Sequence, residues 1–262
     1  MIVKMMMLVG VVAVLITGVY NQMSQFVTQQ VLTQTYEIDP AARQQILDAT
    51  IQITLYAPIL DETGQPKLTE VNGQHQMQYT VGDGLGTLIN RNGQVVIVTH
   101  DHWTLVERMT KATIADVRGE VLLTVTAVQF QQMIQYRDGG TMILALENSL
   151  PGTAITNAAE TINEADDVLL LAYRQPGTMQ VDVVPMMIDE MKLYHGRQSF
   201  YLRSLHNEAV VGGNSGGGLF VNGELVGNMW ITLVVQEVTR ATGTAVGPEQ
   251  QTNLSIAAQL PA

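Results

Sequence analysis

The chain contains no cysteine. Disulfide staples and thiolate metal sites are therefore excluded, and the redox compartment is left undetermined. Basic residues are scarce as well: 13 Lys and Arg stand against 24 Asp and Glu, a formal net charge of -11. Binding a phosphate backbone relies on clustered Lys and Arg that release counterions, and no basic stripe runs through the chain, so nucleic acid is excluded as a partner. Anionic lipid surfaces would repel such a chain, which leaves insertion as the route to a membrane. Charge of both signs is low, at 14%, while 46% of the residues are hydrophobic. That balance excludes a disordered polyelectrolyte and describes a packed globule plus one apolar segment. A length of 262 residues allows one large domain or two small ones, and an all-β domain of this size need not split.

The apolar segment is residues 5–20, MMMLVGVVAVLITGVY, uncharged and preceded by Lys4. It falls short of the roughly 20 apolar residues of a spanning helix, but Ile2 and Val3 extend it beyond a lysine that can snorkel. A cleaved signal peptide would end in an A-x-A-like site, and none follows the run. Residues 1–20 are expected to be a signal anchor, a transmembrane helix that exports the rest of the chain and leaves Lys4 on the cytoplasmic side. Residues 21–50 read as a stalk and a short helix. Met23, Phe26, Val27 and Val31 recur at helical spacing, and Asp39-Pro40 supplies an N-cap and a first-turn proline for a helix over 41–49.

From residue 51 the pattern changes to short β-branched and aromatic runs. They cover 51–56, 76–81, 87–89, 95–99, 121–130, 142–146, 168–173, 181–188, 199–205, 218–221 and 225–235. Turn signals at Asp61-Glu62-Thr63-Gly64, Asn92-Gly93, Asp138-Gly139-Gly140, Pro176-Gly177 and Asn222-Gly223 separate them. This is how an all-β barrel or sandwich reads, and residues 51–262 are expected to form one such domain. A short helix over 103–113 and a final strand or helix over 254–260 complete the expectation, with a loop from residue 236.

Two stretches carry chemistry. The first is Gly212-Gly213-Asn214-Ser215-Gly216-Gly217-Gly218-Leu219. A nucleophilic serine needs a backbone turned so that its own N–H and that of the residue two before it converge on one point, an oxyanion hole, and glycines permit that turn. The string resembles the G-[DN]-S-G-G-x-L signature of chymotrypsin-like serine proteases, in the Asn-containing form of bacterial Deg-type enzymes. The bare alternative is a glycine-rich turn with an incidental serine. The second stretch, Gly84-Leu85-Gly86-Thr87-Leu88-Ile89 followed by Val98-Thr99-His100-Asp101-His102, is similar to the same family's G-x-G-x-x-I strand and T-x-x-H segment.

The resemblance implies a chymotrypsin-like double β-barrel, without a PDZ domain, behind the N-terminal helix and stalk. It assigns His102, three after Thr99, as general base, Ser215 as nucleophile, and the N–H groups of Gly213 and Ser215 as the oxyanion hole. His100 is then a surface or supporting residue. A His pair at i, i+2 could instead bind metal, but no third ligand lies at a useful spacing, so no metal and no cofactor are expected. The family's Asp would fall at Thr141, which cannot supply an anion. Asp138 is the substitute expected, brought into place by the flexible Gly139-Gly140 pair, while Asp101 is set aside because strand alternation turns it away from His102. Ala209, Val210 and Val211 precede the serine where the family forms its S1 pocket, implying small aliphatic P1 residues. The expected function is a serine endopeptidase acting on protein or peptide substrates, held at the membrane with its protease domain periplasmic or extracellular. The alternative is an inactive pseudoprotease, a binding or scaffolding module with envelope partners, motivated by Thr141.

Overall fold

The computed structural model describes residues 36–159, 168–175, 178–205, 213–238 and 245–261. The chain divides into two units, Met1–Ile38 and Asp39–Ala262, and the elements described belong to the second. The expected anchor and most of the stalk lie outside the described residues. Among the described residues, no helix is long and apolar enough to cross a membrane.

Helix α1 (Pro40–Ala49) starts as the sequence predicts, with Pro40 in its first turn and the Asp39 carboxylate accepting the Ala42 N–H at 2.9 Å. Its C-cap, Thr50, is already extended, so the chain passes straight into a strand. The first half of the fold is β1 (Thr50–Pro58), β2 (Leu68–Val71), β3 (Gln74–Met77), β4 (Tyr79–Arg91), β5 (Gln94–Thr99), β6 (Lys111–Ala115), β7 (Val121–Thr126), helix α2 (Ala127–Met133), β8 (Ile134–Asp138), β9 (Thr141–Ala145) and β10 (Thr156–Asn157). Seven strands pair in the order β7-β6-β1-β4-β5-β9-β8, and β10 adds parallel to β4. The β2–β3 hairpin stands apart. The second half is β11 (Val168–Arg174), β12 (Val181–Tyr194), β13 (Arg197–Ser204), β14 (Gly218–Val221), β15 (Glu224–Val238) and β16 (Ala245–Gln259). These close into a barrel, β11-β12-β13-β16-β15-β14, with β14 pairing back onto β11.

Each half has its own core. Ile51, Ile53, Leu55, Leu88, Ile97, Ile114, Phe130 and Leu144 are buried in the first. Leu169, Leu171, Phe200, Leu202, Leu219 and Met229 are buried in the second. Each such side chain contributes roughly 1.5–3 kcal/mol over leaving it in water. Two-residue turns at Asn92-Gly93 and Asn222-Gly223 carry both residues at positive φ, as their hairpins require. Asn72-Gly73 and His195-Gly196 turn in the same way.

The structure departs from the sequence expectation in four places. Where two closed barrels were expected, the first half is a sheet whose edges, β7 and β8, are separated by α2. Phe130 of that helix fills the core between them. The expected strand over 121–130 stops at Thr126, where a capping box with Gln129 starts α2. The expected helix over 103–113 is a run of turns followed by β6. The expected C-terminal loop is strand from Ala245 onward, because β16 is needed to close the barrel.

Candidate active site

β5 ends at Thr99, and the next three residues cross from the first half toward the barrel. Thr99 is buried and donates its hydroxyl to the Leu85 carbonyl at 2.6 Å, fixing the exit of the strand against β4. The serine segment comes up from the other side, in the turn that leads into β14. The Leu85 N–H donates to the Ser215 carbonyl at 2.9 Å. Gly216 sits at φ +87°, and a Cβ there would run into the Leu85 carbonyl oxygen and the Thr99 hydroxyl. Only glycine allows both the backbone angle and this approach. Asn214 is buried and ties the turn to the end of β11: its side-chain oxygen accepts the Arg174 N–H, and its amide donates to the Arg174 carbonyl at 3.2 Å.

These constraints bring together two residues 113 positions apart: the Ser215 Oγ lies 3.1 Å from His102 Nε2. Partial burial lowers the His102 pKa from its ordinary value, and the Asp101 carboxylate offsets part of that by raising it. The imidazole therefore stays neutral, able to accept a proton, below the usual histidine range. Among the described residues, neither the Gly213 nor the Ser215 N–H donates to a protein acceptor. Gly213 lies at φ +90°, a conformation that suits glycine.

The other expected residues fare differently. Asp138 is exposed and its carboxylate is engaged by the Arg197 guanidinium, which also donates to the Tyr136 hydroxyl at 2.6 Å. That pairing, through the Arg197 hydrogen bond and charge, holds Asp138 well ionised. Gly139 and Gly140, expected to let Asp138 swing, form the two-residue turn between β8 and β9, at φ +61° and +89°. Thr141 is fully buried and donates to the Asn228 side-chain oxygen at 2.7 Å. His100 is also buried rather than at the surface. Its ring stacks on Trp103 at a centroid distance of 4.0 Å and meets the His102 ring at a tilt at 4.1 Å. Burial lowers its pKa to about 2, so it is neutral throughout the working range. Ala209, Val210 and Val211 lie outside the described residues.

Sequence reading passed over three residues here. Asp101 Oδ1 is 3.9 Å from His102 Nδ1. Asn228, in β15, is fully buried and donates to the Gly140 carbonyl at 2.9 Å. Arg174, at the end of β11, is 6% exposed and donates to Gln52 of β1 at 3.0 Å. Its guanidinium stands 3.1 Å from where a Gly213 Cβ would be. Asn228 and Arg174 are buried polar groups outside any motif, findable only as polar residues inside an apolar strand pattern, whereas Asp101 is partly buried and lies within the Thr99–His102 segment. Among the described residues, no cluster of three or more His, Asp or Glu side chains could hold a metal ion.

The β-rich first half and the closed six-stranded barrel, with the histidine segment on one and the serine turn on the other, match a chymotrypsin-like fold although only the second half closes. The comparison with solved structures agrees at the level of fold. The chain is similar to the HtrA-type protease AlgW with a decapeptide, at 13% identity and a TM-score of 0.54, covering 85% of this chain and 64% of AlgW. A serine-to-alanine form of AlgW with a decapeptide matches at 13% identity and 0.52, over 84% of this chain and 62% of that one. The chain thus spans less than two thirds of AlgW. The active form of the Rv3671c protease from M. tuberculosis aligns at 18% identity and 0.48, over 86% of this chain and 83% of its own. No protein-family model and no curated protein matches the sequence.

Proposed function

We propose that the chain is a serine endopeptidase, and the observation that carries this reading is the 3.1 Å approach of Ser215 Oγ to His102 Nε2. With Nε2 unprotonated, His102 accepts the hydroxyl proton as Ser215 Oγ bonds to the scissile carbonyl carbon. The carbonyl oxygen becomes an oxyanion, for which the Gly213 and Ser215 N–H groups are the donors. Collapse breaks the C–N bond, the amine leaves with the proton from His102, and water repeats the sequence on the acyl-enzyme. Protein or peptide is the substrate class. A preference for small aliphatic P1 residues follows from Ala209, Val210 and Val211. Attachment to the membrane through residues 1–20, with the protease domain extracytoplasmic, follows from the apolar run.

The test is labelling of the full chain by a fluorophosphonate probe, which reacts only with an activated serine. Wild type is expected to label and Ser215→Ala not to. No labelling of wild type, under conditions that label a control protease, overturns the reading.

A second reading is a pseudoprotease that keeps the fold as a binding or scaffolding module with envelope partners. It is favoured by the buried Thr141 where an Asp is expected and by the Asp138–Arg197 pair. Labelling of wild type, lost in Ser215→Ala, removes it.

A further inference from the structure

We propose that Asp101 is the carboxylate that orients His102, and that the β8–β9 turn holds it in that position. This deepens the serine endopeptidase reading and rests on it. The His102 ring presents Nε2 to Ser215 and Nδ1 to Asp101. A base that accepts through Nε2 carries its proton on Nδ1, the ring nitrogen on the side of the Asp101 carboxylate.

Asp101 is fixed by the turn that was expected to deliver Asp138. Its Oδ2 accepts the Gly140 N–H at 2.9 Å, leaving Oδ1 toward the imidazole. Its main-chain carbonyl accepts from Arg137 Nε at 3.1 Å. The turn is itself anchored to the barrel. Asn228 donates to the Gly140 carbonyl and accepts from Thr141, and the Trp230 ring occupies the space a Gly140 side chain would need. The Asp101 side chain is 20% exposed, against 66% for Asp138, so its charge is the less screened of the two.

The alternatives are committed elsewhere. Asp138 is bound by Arg197, and the Thr141 hydroxyl is spent on Asn228. Among the described residues, the groups around the imidazole are neutral His100, tilted against it, Arg137 behind Asp101, and Ser215 from the barrel. Asp101 is thus, among the described residues, the anion that faces the charge His102 acquires. At 3.9 Å the carboxylate is beyond hydrogen-bond distance of Nδ1, and it becomes an ion-pair partner only when His102 is protonated. It acts on the imidazolium formed during proton transfer, and it is a positioning residue, without contact to substrate.

The experiment compares full-length wild type, Asp101→Asn, Asp101→Glu and Asp138→Asn by two readouts. One is the His102 titration followed by NMR; the other is the rate of fluorophosphonate labelling against pH. Asp101→Asn is expected to lower the His102 pKa by about one unit and to slow labelling roughly 10- to 1,000-fold. Asp101→Glu is expected to restore much of both, and Asp138→Asn to leave both near wild type. If Asp138→Asn shifts the titration and Asp101→Asn does not, or if neither does, the proposal is overturned. Should Asp101→Asn not fold, the Asp138→Asn titration still decides, because a shift there contradicts the assignment. If wild type does not label while Asp101→Asn still lowers the His102 pKa, the endopeptidase reading fails and the Asp101–His102 coupling stands.

Discussion

His100 shows how much one buried imidazole governs. It is neutral when folded, with a pKa near 2, whereas the unfolded chain binds a proton near 6.5. Below pH 6.5 the unfolded state therefore holds more protons than the folded one, and stability falls as pH falls toward 2. The slope from this residue is about 1 kcal/mol per pH unit. Both ring nitrogens are also buried with no hydrogen-bond partner among the described residues. His100→Phe keeps the stacking and removes the titration. Its urea midpoint is expected to drop less between pH 7 and pH 5 than that of wild type, and an equal drop would show that His100 is not the group responsible. On the proposed mechanism His102 acts in the same window with a different sign, its depressed pKa keeping the imidazole able to accept a proton in mildly acidic solution. The labelling rate should therefore reach half its maximum below pH 6.5.

The residue scale also shows what the sequence conceals. Ser215 and His102 were legible because glycines and spacing mark them. The proximity of Asp101 to His102 is hidden, because strand alternation would oppose the two side chains and the strand ends two residues earlier, at Thr99. Beyond that point neighbouring side chains need not oppose each other. Asn228 and Arg174 carry no local mark at all; their partners are 88 and 122 residues away in sequence.

Among elements, the hairpins were the most legible, because an Asn-Gly pair has few other conformations that suit it. α2 was the least. Its flanking run, Val121 to Phe130, is β-branched and aromatic enough to read as one strand, and what ends the strand is a reciprocal cap between Thr126 and Gln129. Thr126→Ala removes that cap and is expected to lower stability by about 1 kcal/mol in urea unfolding. No loss would mean that Phe130 packing alone determines the helix. The β8–β9 turn behaves differently. Gly140→Ala combines a positive φ with a clash against Trp230 and is expected to slow probe labelling while α2 and both cores remain. Far-UV circular dichroism unchanged alongside slowed labelling is the expected pair of results.

At the scale of the molecule, the halves are joined by polar contacts as well as by packing. Arg174 reaches Gln52, and Thr141 reaches Asn228. Arg174 is buried with its Nε unpaired among the described residues, and its pKa is lowered by burial. Arg174→Met leaves the buried Gln52 side-chain oxygen without its donor and is expected to lower stability by about 1–3 kcal/mol and to label more slowly, because the guanidinium no longer lines Gly213. Equal labelling would make Arg174 a core residue only. The all-β class was readable from strand rhythm, but closure of the barrel by β16 was not, since nothing local tells a closing strand from a polar tail.

The bond from Leu85 N–H to the Ser215 carbonyl, with Gly216 pressed against the same residue, has a consequence for how the protein could lose function. Ser215 is registered on the half of the molecule that bears His102, through one peptide unit. A small parting of the halves would silence the serine while both remained folded, and a bulky neighbour at this seam would disable the protein as surely as one that touched the hydroxyl.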